Sequence, residues 1–295
     1  MKKRFALLAL LLSLALVVAG CGSSSSSDEE DSSADASTDT TEDADEEETE
    51  NVTITVGANL TPHSEILYEA QPLLAELGIT LEVVEIEDSV IPNTSLVEGS
   101  IDANYFQHLP YLEDFNEENG TDLVSIGAIH YEPFGIYAGQ AASLDEIEEG
   151  DTIAIPNNTT NEARALLLLE QEGLITLDED AGVNATILDI VDNPLNLDFV
   201  EVAPENLVNT LPDVAVAIIN GNYALEGGLD VNDALAVEAN DGLAAQTYGN
   251  IIAVRAEDAE NEALLTLVEV LQGEEISEFI TETYNGAVVP LYTYD

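Results

Sequence analysis

The stretch from residue 152 to residue 172, TIAIPNNTTNEARALLLLEQE, holds the strand–loop–helix unit on which the fold prediction rests. Its apolar start, Thr152–Ile155, predicts a buried strand, and its Ala- and Leu-rich end predicts a helix. Thr159 and Glu162 have the spacing of a capping box, so the helix is expected to start at about Thr160. Strands and helices alternate in this way along most of the chain, and such alternation predicts an α/β protein with mainly parallel strand pairing.

The same patterns predict further strands and helices on both sides of this unit. Apolar runs predict strands at Val52–Val56, Leu81–Ile86, Ile101–Phe106, Val124–Ala128, Phe134–Tyr137, Ile187–Ile190, Leu197–Val200, Val214–Ile219 and Tyr248–Arg255. Helical periodicity with suitable start and stop residues predicts helices at Ser64–Leu77, Pro110–Asn119, Asn261–Leu271 and Glu274–Tyr284.

The composition of the chain bounds its size class and its partners. Its 295 residues leave room for about two domains or lobes, and a hydrophobic content of 45% is enough to build a core. There are 5 Lys and Arg residues against 60 Asp and Glu residues, for a net charge of −55. Nucleic acid is therefore excluded as a partner, because phosphate binding needs clustered cations. The one Cys excludes an intrachain disulfide framework and a zinc site built on several Cys residues.

The N-terminal residues have the pattern of a secretory signal. The cations Lys2–Arg4 precede the apolar run Phe5–Gly20, which is short for a membrane-spanning helix, so residues 1–20 are predicted to be a signal peptide. The run leads into Val-Ala-Gly-Cys, ending at Cys21, which resembles the lipobox of bacterial lipoproteins. That resemblance implies fatty acylation of Cys21, which would anchor the protein on the extracytoplasmic face of the cell membrane. A plain signal peptide followed by a buried Cys is the alternative.

Acidic residues are in excess both after the lipobox and in the part expected to fold. Residues 21–50 are predicted to be a solvated linker, because residues 28–50 hold 13 acids and no large apolar residue. Without residues 1–20 the chain keeps 2 cations against 60 acids, a net charge of −58. Such self-repulsion weakens a compact fold unless salt screens it, so we expect a saline environment or a halophilic source. A general contribution to solubility is the alternative.

Arg164 is one of only two cations that follow the predicted signal peptide, the other being Arg255. It is expected just past the first turn of the helix in the opening stretch, close to the free N–H groups of the helix start. A guanidinium there can bind a carboxylate through two hydrogen bonds, so Arg164 is a candidate anion clamp. Pairing of Arg164 with one of the abundant acids is the alternative. Arg255 precedes Ala-Glu-Asp at a strand end and is expected to form ordinary surface ion pairs.

Aromatic and imidazole side chains cluster at Phe106, His108 and Tyr111. Phe106 and His108 fall on one face of an extended segment, and Tyr111 follows within the first turn of the next helix. Together they suit an apolar, polarizable side chain, because thioether–aromatic contacts are favourable by about 0.3–1.5 kcal/mol. A place in the core is the alternative for this cluster.

Three Asn residues stand where polar ligand groups are often bound. Asn220 and Asn222 follow the predicted strand Val214–Ile219, at a carboxyl end where α/β sheets commonly bind ligands. Asn250 stands inside a strand-like segment, where an amide needs a hydrogen-bonding partner. Each could instead be a turn residue.

Two other functions fit isolated features of the chain. His63, His108 and His130 are its three histidines, and three imidazoles can bind zinc, but spacings of 45 and 22 residues match no compact zinc motif. The chain has no GxSxG, HExxH or P-loop motif, so an enzyme is not predicted. A zinc-binding lipoprotein remains the alternative function, and no cofactor is expected.

Six segments together resemble the methionine-binding lipoproteins of ABC importers, the NlpA family. These segments are Asn104–Tyr111, Gly120–Ser125, His130–Pro133, Asn161–Leu169, Ile219–Ala224 and Gly286–Pro290, in the order in which the family has them. The resemblance covers about residues 52–291 and implies a two-lobed α/β fold of the type II periplasmic-binding-protein kind, hinged between its lobes. It implies that residues 51–134 and 245–295 form the first lobe and residues 135–244 the second.

The resemblance also implies a ligand and a role for each residue singled out above. The aromatic cluster matches the wall that contacts a methionine side chain, the arginine matches the carboxylate clamp, and the asparagines match amides that hold the amino and carboxylate groups. The ligand-binding residues so implied are Phe106, His108, Tyr111, Arg164, Asn220 or Asn222, and Asn250.

The partners implied by the resemblance are a membrane permease and its ATPase, which would import the captured ligand. L-methionine is the first expectation, and D-methionine or a methionine-containing dipeptide is also in the family's range. Ser89 departs from the family pattern, because relatives commonly carry Tyr at this position. The smaller side chain is expected to widen the pocket and to relax its selectivity.

Overall fold

The structure is a computed structural model, and it describes residues 51–238 and 246–292. The predicted signal peptide, the lipidation of Cys21 and the acidic linker lie outside these residues, as does the expected lobe boundary at residues 244 and 245. Within the two described ranges, no helix is both long and apolar enough to cross a membrane.

The described chain alternates strands and helices. The strands are β1 Val52–Ala58, β2 Ile79–Glu85, β3 Ala103–His108, β4 Val124–Tyr131, β5 Gly135–Ala138, β6 Thr152–Pro156, β7 Thr176–Leu177, β8 Ile190–Asp192, β9 Asp198–Val202, β10 Val216–Ile219, β11 Ala236–Val237, β12 Asn250–Val254 and β13 Val289–Pro290. The α-helices are α1 Glu65–Glu76, α2 Ile91–Val97, α3 Leu109–Asn119, α4 Thr159–Gln171, α5 Leu207–Thr210, α6 Gly221–Glu226, α7 Glu262–Leu271 and α8 Glu274–Tyr284.

Two sheets contain most of these strands. The first has the order β13-β4-β12-β3-β1-β2, and the second has the order β11-β5-β10-β6-β9. β7 and β8 form a separate two-stranded pair. The first sheet takes its strands from the beginning and the end of the described chain, whereas the second takes them from the middle.

Strand pairing is mixed, so the expectation of mainly parallel pairing is wrong. In the first sheet, β1 is parallel to β2 and β3, but β12 runs antiparallel to β3 and β4. In the second sheet, β10 is parallel to β6 and antiparallel to β5. The physical reason is the path of the chain, which returns from the second sheet as β12 and inserts between β3 and β4. An apolar run has the same pattern in either direction, so the sequence does not encode this choice.

Apolar side chains form separate cores on the two sheets. On the first sheet, Val56 of β1 packs in one cluster with Leu67 of α1 and Leu267 of α7. On the second sheet, Ile155 of β6 packs with Leu166 of α4, and both are fully buried. Burying one such side chain contributes about 1.5–3 kcal/mol. These cores fix the strand ends that carry the polar residues described below.

The start of α4 differs from its prediction by one residue and has a different cap. Asn158 precedes the helix and accepts a hydrogen bond from the Asn161 N–H at 3.2 Å. The capping box expected from Thr159 and Glu162 is therefore wrong. The Glu162 carboxylate accepts the Ile187 N–H at 2.9 Å instead. An Asn cap stabilises a helix start as well as a Thr cap does, so the local energetics permit either choice.

The strand predicted at Ile187–Ile190 is also misplaced. Ile187–Asp189 forms a 3₁₀ turn, and β8 begins only at Ile190. The Thr186 N–H donates to the Asp189 carboxylate at 2.8 Å, and the Thr186 hydroxyl accepts the Leu188 N–H. This local capping stabilises a turn where the apolar pattern alone predicts a strand.

Candidate ligand-binding site

A cavity lies where strand ends of the two sheets meet the starts of α3, α4 and α6. All seven residues predicted from the sequence to bind ligand line it. The full lining consists of Ser89, Phe106, Gln107, His108, Tyr111, Glu132, Asn158, Asn161, Arg164, Pro204, Asn220, Gly221, Asn222, Tyr223 and Asn250.

One part of the wall is aromatic. Phe106 and His108 lie on one face of β3, and their rings contact Tyr111 edge-on, with centroids 6.0 Å and 6.4 Å away. His108 also contacts the Tyr248 ring at 5.2 Å. The Tyr111 hydroxyl donates to the Ser89 backbone carbonyl at 2.6 Å, which fixes the ring in place. Such rings offer a polarizable surface with few hydrogen-bonding groups.

His108 joins this aromatic wall to a polar cluster. Its Nδ1 accepts the Tyr111 N–H at 3.2 Å and thereby caps α3. Nε2 therefore carries the proton and donates to Asn161 Oδ1 at 3.2 Å. Burial, together with the positive charge of Arg164, lowers the pKa of His108 to about 4. The ring is thus neutral at neutral pH.

Arg164 is buried in the first turns of α4 and is paired with an acid. Its Nε donates to both carboxylate oxygens of Glu238 at 3.0 Å, and its Nη2 donates to Glu238 at 2.5 Å and to the Glu132 carbonyl at 2.9 Å. The guanidinium carbon lies 4.4 Å from the ring centre of Tyr248 and 4.7 Å from that of Phe134. Acid pairing, the alternative for this residue, is therefore present, while Arg164 also lines the cavity.

Amide groups converge beside the arginine. Asn161 Oδ1 accepts Asn220 Nδ2 at 2.9 Å, in addition to the imidazole of His108. Asn220 Oδ1 is buried and has no hydrogen-bond partner among the described residues. Asn250 begins β12, and its Oδ1 lies 3.0 Å from Nε2 of His63. An unpartnered buried acceptor costs about 1–3 kcal/mol, so Asn220 is a candidate contact for a ligand donor.

Asn161 and Glu132 are among the lining residues that were not singled out from the sequence. Asn161 lies in the first turn of α4, and its position at a helix start was the available signal. Glu132 follows β4 directly. Its position between an apolar strand and a Pro was the only local sequence feature that could have indicated a role for it. Glu132 accepts the Asn222 N–H at 2.8 Å and is buried.

The three histidines do not assemble into one site, so the zinc site built on them is wrong. His63 and His130 do come together with Glu132, and one ligand atom from each lies within 4.8 Å of the others. His108 is not part of this group and bonds to Asn161 instead. Burial lowers the pKa of His63 to about 4, against smaller opposing effects of Glu132 and Asn250. The separation follows from strand register, since His108 ends β3 and His130 lies two strands away in β4.

Arg255 forms the surface pair expected of it, with Asp258 at 2.6 Å. It also donates to the backbone carbonyls of Leu96 and Ile101, at 3.1 Å and 2.7 Å. Arg255 therefore links the end of β12 to the segment before β3 and does not line the cavity.

Both sheets contribute to a buried cavity that is lined by amides, a guanidinium and aromatic rings. This two-sheet α/β architecture is that of a substrate-binding protein of the two-lobed periplasmic type. The family model of the NlpA lipoproteins matches residues 54–292. The chain belongs to the NlpA lipoprotein family, whose members bind substrates and are not enzymes.

Known relatives agree with this assignment. The methionine-binding lipoprotein MetQ of Bacillus subtilis is 44% identical over 242 residues, which are 80% of this chain and 87% of that protein. The D-methionine-binding lipoprotein MetQ of Escherichia coli is 36% identical over 238 residues, which are 79% of this chain and 86% of that protein. A nutrient-binding protein of Burkholderia cenocepacia, solved bound to methionine, has a TM-score of 0.78 at 39% identity and covers 81% of this chain and 100% of its own.

Proposed function

We propose that the protein captures methionine in the cavity and delivers it to the permease of an ABC importer. The observation that carries the proposal is the convergence of an aromatic wall, a guanidinium and several amides on one buried cavity. A zwitterion with a thioether side chain offers matching groups for each of these. The names of the relatives, which include methionine-binding and D-methionine-binding lipoproteins, support the same ligand.

In the proposed complex, Arg164 binds the ligand carboxylate. The amides of Asn220, Asn222 and Asn250 hold the amino and carboxylate groups. Phe106, His108 and Tyr111 enclose the side chain, in which the sulfur contacts the ring edges. Ser89 leaves room beside Tyr111 that a larger residue would fill.

The delivery step uses the hinge expected between two lobes, residues 51–134 with 245–295 and residues 135–244. Ligand stabilises the closed form more than the open form, and the closed form is recognised by the permease and its ATPase. Lipid on Cys21 holds the protein at the extracytoplasmic membrane surface, with residues 21–50 as spacer. The excess of acids fits a saline environment, since salt screens their repulsion.

Calorimetric titration of the purified protein in molar salt, after unfolding and refolding to remove carried-over ligand, tests the proposal. The titrants are L-methionine, D-methionine and a methionine-containing dipeptide. Tight one-to-one binding of any of them is the expected result. An absence of heat with all three would refute the proposed ligand, and the order of the three affinities measures the selectivity.

A further inference from the structure

Glu132 is a buried carboxylate in the cavity wall to which the proposed complex gives no role. It is 5% exposed and follows β4, where the chain leaves the first sheet. Gly221 lies directly against it, because a Cβ built on Gly221 would be only 2.7 Å from the Glu132 Cβ. Any larger residue at position 221 would force Glu132 to shift. The close approach therefore depends on glycine at this position.

The carboxylate is held by two hydrogen bonds and keeps free capacity. Oε1 accepts His130 Nε2 at 2.6 Å, and Oε2 accepts the Asn222 N–H at 2.8 Å. A carboxylate can accept about four hydrogen bonds, so lone pairs remain on both oxygens. Burial raises the pKa of Glu132, but the hydrogen bonds from His130 and Asn222 and the nearby imidazoles bring it below its usual value. Glu132 is therefore ionised.

A second hydrogen bond orients the His130 ring from the side away from Glu132. The hydroxyl of Tyr105 is fully buried and has Nδ1 of His130 as its partner. Nδ1 of His130 faces this hydroxyl while Nε2 faces Glu132, so the ring is held from both sides. The network orients the carboxylate.

No Arg or Lys side chain among the described residues forms an ion pair with the Glu132 carboxylate. Arg164 is already paired with Glu238. His63 and His108 have pKa values lowered to about 4 and are neutral at neutral pH. Arg164 and Glu238 cancel as a pair, so Glu132 is a lining carboxylate with no permanent cation paired to it. The lining also holds the unpartnered acceptor Asn220 Oδ1.

We propose that Glu132 is the group that pairs with the α-ammonium of an amino-acid ligand, with Asn220 Oδ1 as a second acceptor. The proposal rests on the proposed function and adds a specificity determinant to it. A buried carboxylate next to a cavity selects ligands that bring a cation, because an unpaired buried charge is costly. The site therefore discriminates between an amino acid and the same molecule with a hydroxyl in place of its ammonium.

The test compares methionine with its α-hydroxy analogue, which keeps the carboxylate and the thioether. Wild-type protein is expected to bind methionine at least ~100-fold more tightly, the factor that corresponds to the loss of a buried ion pair. Glu132→Gln, of the same shape, is expected to lose most of this preference by weakening methionine while leaving the analogue within a few-fold. Glu132→Asp, which keeps the charge, is expected to retain a preference for methionine. Glu162→Gln is the matched control, since Glu162 is buried but does not line the cavity.

The outcomes distinguish the ammonium pairing from the methionine proposal. Equal weakening of both ligands by Glu132→Gln would show a purely structural role and overturn the ammonium pairing while keeping the methionine proposal. If Glu132→Gln does not fold, the wild type and Glu132→Asp decide instead. A wild-type preference near one overturns the pairing by itself, and a large wild-type preference that Glu132→Asp retains supports it. Binding of a different amino acid instead of methionine, weakened selectively by Glu132→Gln, would refute methionine and keep the pairing. Binding of no amino acid would overturn both.

Discussion

The Nε atom of Arg164 lies 3.0 Å from each carboxylate oxygen of Glu238, so the two side chains form a forked ion pair beside the cavity. Burial lowers the pKa of Arg164, but the negative charge of Glu238 raises it above its usual value overall. Both groups stay ionised, and each depends on the other for compensation. Arg164 can therefore present a positively polarised face to a ligand without leaving an isolated charge in the empty cavity.

Replacing Arg164 by Ala is expected to lower methionine affinity by ~100-fold or more and to lower the free energy of unfolding by about 3–5 kcal/mol. Affinity falls because the ligand carboxylate loses its donor, and stability falls because the buried Glu238 is left unpaired. Calorimetry measures the first effect and denaturant unfolding in molar salt measures the second.

The double variant Arg164→Ala with Glu238→Gln separates these two effects. It leaves no stranded charge, so most of the lost stability is expected to return while affinity stays low. Recovery of affinity in the double variant would contradict the clamp assignment, because Arg164 would then act only on the fold.

Ser89→Tyr is expected to narrow the ligand range. The Ser89 side chain lines the cavity, and its backbone carbonyl holds the Tyr111 hydroxyl at 2.6 Å. A phenol at this position fills space beside the aromatic wall, so a methionine-containing dipeptide should lose at least ~10-fold more affinity than methionine itself, roughly the 1–3 kcal/mol of overpacking. Ser89→Ala serves as the control for loss of the hydroxyl. Equal effects on dipeptide and methionine would show that position 89 does not limit ligand size.

The sequence predicts the elements of the fold better than their arrangement. Helix α8 has the predicted bounds Glu274–Tyr284, and β1 contains the predicted Val52–Val56, because long periodic patterns and clear stop signals define them. The insertion of β12 between two strands and the turn at Ile187–Asp189 were not predicted. Both depend on contacts that an apolar pattern does not contain.

The same limit applies to the candidate site. The position of Arg164 at the start of a helix follows from local sequence, but its partner Glu238 lies 74 residues further along the chain. Arg164 can be singled out from the sequence because cations are scarce in this chain. Glu132 could not be singled out in the same way, because it is one of 60 acids and only its burial distinguishes it.

The stability of the fold is expected to fall between pH 6.5 and pH 4 through His63. Burial lowers the pKa of His63 from 6.5 to about 4 in the folded protein. The folded state therefore resists a proton that the unfolded chain accepts, so the contribution is complete above pH 6.5 and is lost as the pH falls through 4. The full effect is on the order of 3 kcal/mol.

Comparison with His63→Gln isolates this contribution from that of the many carboxylates. The amide can donate to Asn250 as His63 does, but it does not titrate. The difference in free energy of unfolding between wild type and variant should shrink by up to about 3 kcal/mol from pH 7 to pH 4. A difference that is constant with pH would show that His63 does not titrate in this range.

Salt should stabilise the protein through its surface charge. Residues 51–295 carry 47 acids and only Arg164 and Arg255 as permanent cations. At 0.1 M salt, the repulsion between the acids acts over about 10 Å. Raising sodium chloride from about 0.1 M to 2 M shortens this range below 3 Å, so we expect the melting temperature to rise by ~10 °C, which corresponds to about 3–4 kcal/mol in a chain of this size. Sucrose at matched osmolality is the control, since it stabilises folded proteins without screening charge. An equal rise in melting temperature with sucrose would show that exclusion of the cosolvent from the protein surface causes the effect. A rise with salt alone would show that screening of the acids causes it.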